Sequence, residues 1–432
     1  MKQINIGLIG FGTVGRGVYN LLKQNSEIIS ARTGLELKIK TICDLRLDHV
    51  IHTIGEESVK TTGRWEDLVK DDGHDIIIEL IGGIEPAKSI ILSALGKGKC
   101  VVTANKKLLA EEGDDIFSFP NSKSMLGFEA SVGGGMPCVM ALKNGLVGNR
   151  IQSVMGILNG TSNFILSKME EEQISFKDAL RDAQQKGFAE SDPTFDIEGF
   201  DTGHKIALLS MLAFNKKMDF RSIPIEGITK INTMDIAYAR DMGYTIKLLG
   251  IAKTLGAQID IRVHPTMIPR RHPLASVRNE FNAVMFDCDS AGHITIFGKG
   301  AGAYPTASAV VSDLVWLAEK PFSDQKPLVS MEPARFIRAG DLITRYYLRI
   351  HTEDRPGILS RISGALGKFN ISIASVIQKE VGERYVPLIF MTHEAGEEDM
   401  RNAVREIENF EFIQGNVVLI RVEDSIKAGE SR

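Results

Sequence analysis

Three stretches of this 432-residue chain combine residue types and spacings that could do chemistry. The first is Gly10-Phe11-Gly12-Thr13-Val14-Gly15, which fits G-x-G-x-x-G. In that pattern the first glycine permits a tight turn. The second lets a pyrophosphate approach the backbone, and the third lets helix and strand pack closely. A helix opening on such a turn offers unpaired N–H groups and a favourable dipole to phosphate. The second stretch is Thr103-Ala104-Asn105-Lys106-Lys107, directly after an apolar run. Lys106 is a candidate ligand for substrate or cofactor there, and solvated surface lysines are the plainer alternative. The third runs from Gly187 to Lys205 and crowds Glu190, Asp196, Asp201 and His204 into a glycine-punctuated loop that enters a helix. Asp201 and Lys205 are four apart and share a helix face. A lysine oriented by a carboxylate can act as a proton donor. The competing reading is an ordinary surface ion pair of about 0.3–0.5 kcal/mol. His204 points elsewhere on the helix and reads as structural.

The surrounding pattern says what must hold these residues. Residues 4–9 read as a buried strand, followed by the glycine turn and a helix with Val14, Val18, Leu21 and Leu22 on one face. Further strands are expected at 37–43, 75–80 and 100–103, with a helix at 88–95. Strands alternating with helices predict a parallel α/β sheet. Asp44, at the end of the second strand, is the candidate for the ribose hydroxyls. It lies beyond the usual spacing of about 20 residues, because a polar loop around 26–34 intervenes. A polar strand end is the other reading of Asp44. Arg46 stands ready for a 2′-phosphate, so the choice between NAD and NADP stays open.

After about residue 130 the pattern becomes α+β. A strand is expected at 151–158, a helix at 176–186, and another after Asp201 with Ile206 and Leu209 inward. Helices are expected to separate later strands at roughly 235–255. An apolar helix at 307–317 is expected to return to the first domain. Residues 320–340 read as a linker. Beyond it comes βαββαβ: strands at 346–351, 371–379, 385–393 and 415–422, helices at 357–369 and 397–409. Expected inward stripes are Leu359, Ile362 and Leu366, then Met400, Val404 and Ile407. Pro387 is placed near its strand's start or at a bulge.

Composition narrows the function classes. Charged residues make up 25%, the net charge is −4 and the pI is about 6.2. A nucleic-acid partner would call for a basic stripe. The four cysteines, Cys43, Cys100, Cys138 and Cys288, are scattered without a CxxC pair. That pattern fits a reducing cytosol better than a disulfide framework or a thiolate zinc site. A signal-like apolar core and a long apolar run are both lacking, so neither export nor membrane insertion is expected.

Several of these segments resemble the homoserine dehydrogenase family. Ala183–Lys205 looks like its signature, and Ile157-Leu158-Asn159-Gly160-Thr161 resembles its Gly-Ile-Leu-Asn-Gly-Thr stretch. Thr103–Lys106 matches its Thr-Ala-Asn-Lys, and Gly300–Ala309 resembles its late glycine loop. The likeness spans most of residues 1–320. It implies an α/β fold with a Rossmann-type sheet over 1–130, completed by 303–320. It also implies an α+β substrate and oligomerisation domain over 131–302, with a linker over 321–344. The activity implied is reversible NADPH- or NADH-dependent reduction of aspartate semialdehyde to homoserine, in threonine, methionine and isoleucine biosynthesis. Lys205 becomes the general acid/base. Glu190 and Asp196 become substrate ligands with Lys106, while Asp201 orients Lys205. Gly10, Phe11, Gly12, Thr13, Val14, Gly15, Asp44, Arg46, Lys106, Gly187, Gly302 and Ala303 line the dinucleotide. Glu129–Pro137 is similar to the family's cation loop, where Glu129 and the carbonyls of Val132, Gly134 and Met136 would hold sodium. A tight interdomain turn explains those glycines equally well.

Residues 345–432 look like an ACT domain, a ferredoxin-like module that commonly pairs with a second copy around an amino acid. Asp354, Gly357 and Asn370 are the effector candidates, threonine is the expected effector, and a purely dimerising domain is the alternative. A cytoplasmic homodimer or homotetramer is expected, with no aspartate kinase module upstream. One rival is an aspartate semialdehyde dehydrogenase with Cys138 as nucleophile, for which no His partner is visible. A second is an amino-acid sensor built on an inactive dehydrogenase, against which the intact Glu190, Asp201 and Lys205 argue.

Overall fold

The computed structural model describes residues 1–55, 58–319, 328, 332–378 and 384–424, so part of the expected linker lies outside the described residues. The chain forms two compact units. The first comprises Met1–Gly160, Asp201–Ile223 and Glu280–Ala334; the second comprises Thr161–Phe200, Pro224–Asn279 and Arg335–Arg432.

The first unit is built on six strands: β1 (Lys2–Ile9), β2 (Leu35–Cys43), β3 (Lys60–Thr62), β4 (Ile76–Glu79), β5 (Cys100–Thr103) and β6 (Leu126–Gly127). All pair in parallel, in the order β3-β2-β1-β4-β5-β6. This is the Rossmann order. Ile6, Leu8, Ile77, Ile78, Val101 and Val102 are wholly buried. A parallel sheet covered on both faces needs such unbroken apolar runs. Strand order reverses between β1 and β4, which opens a crevice at their carboxyl ends. The Gly10 turn and the ends of β4 and β5 all sit at that level of the sheet.

Helix Ala303–Glu319 returns to this sheet. A Cβ on Gly17, in helix α1 (Thr13–Gln24), would lie 2.8 Å from the Ala303 carbonyl oxygen. Lys2 Nζ donates to the Ala318 carbonyl at 3.0 Å. The same unit holds three antiparallel strands, Ile151–Ile157, Phe281–Cys288 and Gly292–Lys299.

In the second unit, Tyr244–Leu255 and Gln258–Pro269 form a long antiparallel hairpin. The expectation of helix through 235–255 fails here: the helix is Thr233–Asp241, and a strand starts at Tyr244. Gly243 adopts φ +82°, which ends the helix. Ile246–Ala252 are buried on both faces of the strand, so they lack the alternation that separates strand from helix in a sequence.

The C-terminal βαββαβ is present as strand Ile343–Glu353, helix Ile358–Lys368, strands Ile373–Gln378 and Tyr385–Thr392, helix Glu397–Glu408 and strand Val418–Val422. Counted in chain order its strands lie 4-1-3-2, the ferredoxin-like arrangement. Val418–Val422 also pairs in parallel with Gln258–Pro269, so the module extends the hairpin's sheet. Pro387 is the third residue of its strand, close to the start as expected. Two local expectations are corrected. Leu359 is 44% exposed, and Ile358 takes its place in the core with Ile362 and Leu366. The helix expected from residue 357 begins at Ile358, with Gly357 as its N-cap; the stripe and the boundary are both off by one residue.

At the root of this module Asp235, fully buried, accepts hydrogen bonds from Arg349 Nε at 2.7 Å and Tyr347 Oη at 3.0 Å. Among the described residues no helix is long and apolar enough to cross a membrane.

Candidate active site

The glycine turn has the shape its sequence requires. Gly10 adopts φ +95°, and a Cβ there would lie 2.7 Å from the Leu80 carbonyl carbon. A Cβ on Gly15 would lie 2.1 Å from the Gly10 carbonyl oxygen, so no larger residue fits. Around Gly12, by contrast, nothing lies within 4 Å of that position. The first and third glycines close the turn, and the second leaves an approach to the backbone. Gly12 is the N-cap of α1, which begins at Thr13 and Val14 and carries no side-chain cap. The exposed N–H groups of the first turn are thus left for an anion. Phe11 is wholly buried beneath the turn.

Asp44 belongs to this turn. Its Oδ2 accepts the Phe11 N–H at 2.7 Å and its Oδ1 accepts the Arg46 N–H at 2.8 Å. The Asp44 side chain is 14% exposed and that of Arg46 is 70% exposed. A carboxylate fixed to the glycine loop, with an exposed guanidinium whose Nε stands 3.8 Å from it, fits the ribose end of a dinucleotide. The residues present therefore suit such a cofactor.

The reactive cluster is centred on Asp201. Helix Phe200–Phe214 is buried on all sides from Asp201 to Met211. Lys205 Nζ donates to Asp201 Oδ2 at 2.7 Å and to the Leu158 carbonyl at 2.7 Å. Asn159 Nδ2 donates to the same Oδ2 at 2.8 Å, and Lys106 Nζ stands 2.7 Å from Oδ1. Burial alone would push the Asp201 carboxyl up. The Lys205 and Lys106 ammonium groups outweigh that and hold it well below the usual carboxylate range. Asp201 is therefore anionic throughout the physiological range. Lys205 is 7% exposed, so the surface-pair reading fails. An ammonium pinned by a carboxylate and a carbonyl is a fixed proton source. His204 is structural, as expected: its Nε2 meets Glu111 Oε1 at 2.8 Å and its ring packs on Phe220.

Glu190, Asp196 and Gly187 belong to the second unit. Glu190 is exposed, and its carbonyl accepts from Gln184 Nε2 at 3.2 Å. Asp196 is half-buried in the short helix Thr194–Ile197, and Gly187 closes helix Phe176–Gln185 through its N–H to Gln184. Gly302 and Ala303 open the returning helix. The late loop backs the cation loop: a Cβ on Gly134 would lie 2.5 Å from the Gly300 carbonyl carbon. Within the candidate cation loop, both Glu129 carboxylate oxygens already accept amide protons, from Val139 at 2.8 Å and Met140 at 2.7 Å. The Met136 carbonyl accepts the Cys138 N–H at 2.8 Å. Burial pushes the Glu129 carboxyl up to about 7. Cys138 is wholly buried and its thiol is driven well up by burial. Burial and a raised thiol pKa both disfavour the thiolate, which argues against the rival that needed a nucleophile here.

In the C-terminal module Asp354, Gly357 and Asn370 are exposed. Gly357 precedes and Asn370 follows the 11-residue helix Ile358–Lys368. About 16 Å of helix separates them, so one amino acid cannot touch both within a protomer.

Sequence reasoning gave no role to Asn159, although it sits in a quoted motif, and overlooked the Leu158 carbonyl and the buried Glu79. Their placement depends on long-range packing, and a backbone carbonyl carries no residue signal.

Comparisons with known proteins agree with this geometry. The family model for homoserine dehydrogenase matches residues 137–315, that for the homoserine dehydrogenase NAD-binding domain matches 10–121, and that for the ACT domain matches 346–412. A homoserine dehydrogenase of Neisseria gonorrhoeae is 42% identical over 98% of this chain and 99% of its own length. The crystal structure of a homoserine dehydrogenase from Thiobacillus denitrificans is similar with a TM-score of 0.90 and 41% identity, covering 98% of this chain and 99% of that one. A hyperthermophilic archaeal homoserine dehydrogenase in complex with NADPH has a TM-score of 0.61 and 25% identity, covering 75% of this chain and all of that one. The chain belongs to the homoserine dehydrogenase family of NAD(P)-dependent oxidoreductases and carries a C-terminal ACT domain.

Proposed function

We propose that this chain interconverts L-aspartate 4-semialdehyde and L-homoserine, with Lys205 moving the proton at the substrate oxygen. The observation that carries the reading is the Lys205–Asp201–Lys106 array, in which Asp201 and Lys205 are buried and Lys106 is half-buried. The nicotinamide of a bound cofactor supplies or accepts the hydride. Lys205 protonates the aldehyde oxygen as charge builds on it, and in the oxidative direction it takes the alcohol proton. Asp201 orients Lys205 and keeps its ammonium compensated. Lys106 holds substrate or cofactor, Glu190 is a substrate ligand, and Asp196 and Asp201 orient the substrate amine and Lys205.

The dinucleotide rests on Gly10, Phe11, Gly12, Thr13, Val14 and Gly15, with Asp44 and Arg46 at the ribose and Gly187, Gly302 and Ala303 along its length. The open approach at Gly12 supports this. NADPH is bound by an archaeal relative, and the exposed Arg46 favours NADP here too. Sodium held by Glu129 and the carbonyls of Val132, Gly134 and Met136 would relieve the buried Glu129 charge. The domain division follows the sequence: a dinucleotide domain over 1–130 completed by 303–320, a substrate and oligomerisation domain over 131–302, a linker over 321–344, and an ACT domain over 345–432. Through Asp354, Gly357 and Asn370 of paired copies, the ACT domain binds a feedback amino acid, threonine first among candidates. The setting is cytoplasmic threonine, methionine and isoleucine biosynthesis, in a homodimer or homotetramer.

One assay tests the core of this. Purified protein with homoserine and either NAD or NADP should generate the reduced nicotinamide absorbance band. Failure with both cofactors would end the reading. Threonine titrated into the same assay and into a calorimeter tests the effector, and absent heat with absent inhibition leaves the ACT domain a dimerising role.

A further inference from the structure

A carboxylate buried behind the catalytic cluster has no part in the chemistry described so far. Glu79, the last residue of β4, is wholly buried. Its Oε1 accepts the Ile81 N–H at 2.9 Å and the Gly82 N–H at 3.3 Å. Its Oε2 accepts the Thr103 hydroxyl at 2.6 Å. Thr103 is the last residue of β5. Glu79 thus ties together the loops that leave the carboxyl ends of two adjacent strands.

The bonds continue into a closed ring. Thr103 Oγ1 accepts the Asn105 N–H at 3.1 Å. Asn105 Nδ2 returns to the Gly83 carbonyl at 2.7 Å, back on the first loop. Asn105 Oδ1 accepts the Leu108 N–H at 3.2 Å and so caps helix Lys106–Glu112. Lys106 is the first residue of that helix, and its ammonium stands 2.7 Å from Asp201 Oδ1. The ring therefore fixes the backbone immediately before Lys106.

A buried carboxylate is costly unless its hydrogen bonds are made. An apolar residue at 79 would leave two amide protons and a hydroxyl unanswered, yet it would avoid burying a charge. The arrangement is better explained by the precision it confers. Two loops at the carboxyl ends of β4 and β5 would otherwise move independently, and Lys106 sits on one of them. We propose that Glu79, acting through Thr103 and Asn105, is a positioning residue that holds the Lys106 ammonium against Asp201 for the dehydrogenase reaction. The inference rests on the reading that Lys106 serves the site.

The test is a double-mutant cycle in the full-length protein, read as kcat/KM for homoserine. Glu79→Gln keeps shape and volume but has one acceptor oxygen, already claimed by two amides. Thr103→Val removes a single hydroxyl and guards against a misfolded Glu79 variant. Each should lose about 10–100-fold, since a misplacement near 1 Å costs on the order of 10²-fold. Thr103→Ser should recover most of it. In a Lys106→Ala background the same substitutions should cost less than about 3-fold further, because the residue they position is gone. Equal losses in both backgrounds, or no recovery with serine, would overturn the proposal and leave the role of Lys106 intact. Near-normal activity of Lys106→Ala alone would overturn both.

Discussion

Lys205 Nζ lies 2.7 Å from Asp201 Oδ2 across one helical turn, and both side chains are more than nine-tenths buried. On a surface this spacing contributes a fraction of a kcal/mol. In the interior it becomes asymmetric, because losing one partner strands the charge of the other. Asp201 has a second cation in Lys106, so the two halves of the pair are not equivalent.

Lys205→Ala should lower kcat by several orders of magnitude and leave the fold intact, since Asp201 keeps Lys106. Asp201→Ala should also abolish turnover, but it takes the carboxylate from the buried Lys205 ammonium and should cost about 3–5 kcal/mol of stability. Steady-state kinetics and thermal unfolding of the two variants, side by side, check this. Near-normal turnover of Lys205→Ala would remove it from catalysis.

The glycine turn separates binding from folding. Gly15→Ala would drive a Cβ to 2.1 Å from the Gly10 carbonyl oxygen and should unfold or loosen the first unit. Gly12→Ala meets open space at φ −73°, so its melting temperature should hardly move. Its methyl group would stand where the pyrophosphate must come, and KM for the dinucleotide should rise at least about 10-fold. A Gly12→Ala enzyme with an unchanged KM would place the phosphates elsewhere.

How much of this was legible in the sequence depended on the range of the interactions. The turn at Gly10–Gly15 was readable because each glycine answers a local steric demand. The βαββαβ order was readable because helices and strands alternate with clear stripes. Tyr244–Leu255 was misread as helix because a strand buried on both faces loses its period of two. In the site, Asp201 and Lys205 were visible as an i,i+4 pair, but their burial was not. Asn159 and Glu79 reach their partners only through folding, across 42 residues to Asp201 and 24 to Thr103.

On the proposed reading, cofactor choice turns on Asp44 and Arg46. Asp44 is committed to the Phe11 and Arg46 amides, while the Arg46 guanidinium is exposed. If NADP is the working cofactor, Arg46→Ala should lower kcat/KM for NADP about 10-fold and leave NAD unaffected. Equal effects on both cofactors would show that Arg46 does not read the 2′-phosphate.

The last prediction concerns pH and two buried acids, Glu129 of the glycine-rich loop and Asp313 of the returning helix. Asp313 Oδ2 accepts the Glu129 N–H at 2.8 Å, and both residues are about 1% exposed. Burial pushes each carboxyl up to about 7, and the Glu129 charge adds to the effect on Asp313. Below about pH 4 both acids are protonated in the folded and unfolded chain alike. Between about pH 4 and 7 the unfolded chain releases protons that the native state keeps, so stability falls as pH rises through this window. Above pH 7 the full cost is present, on the order of a few kcal/mol. Asp313→Asn preserves the acceptor for the Glu129 amide and carries no charge. In sodium-free buffer it should therefore come closest to the parent at pH 4 or below and melt several degrees higher near pH 8. A variant destabilised equally at both pH values would mean that Asp313 is not held protonated in the native protein.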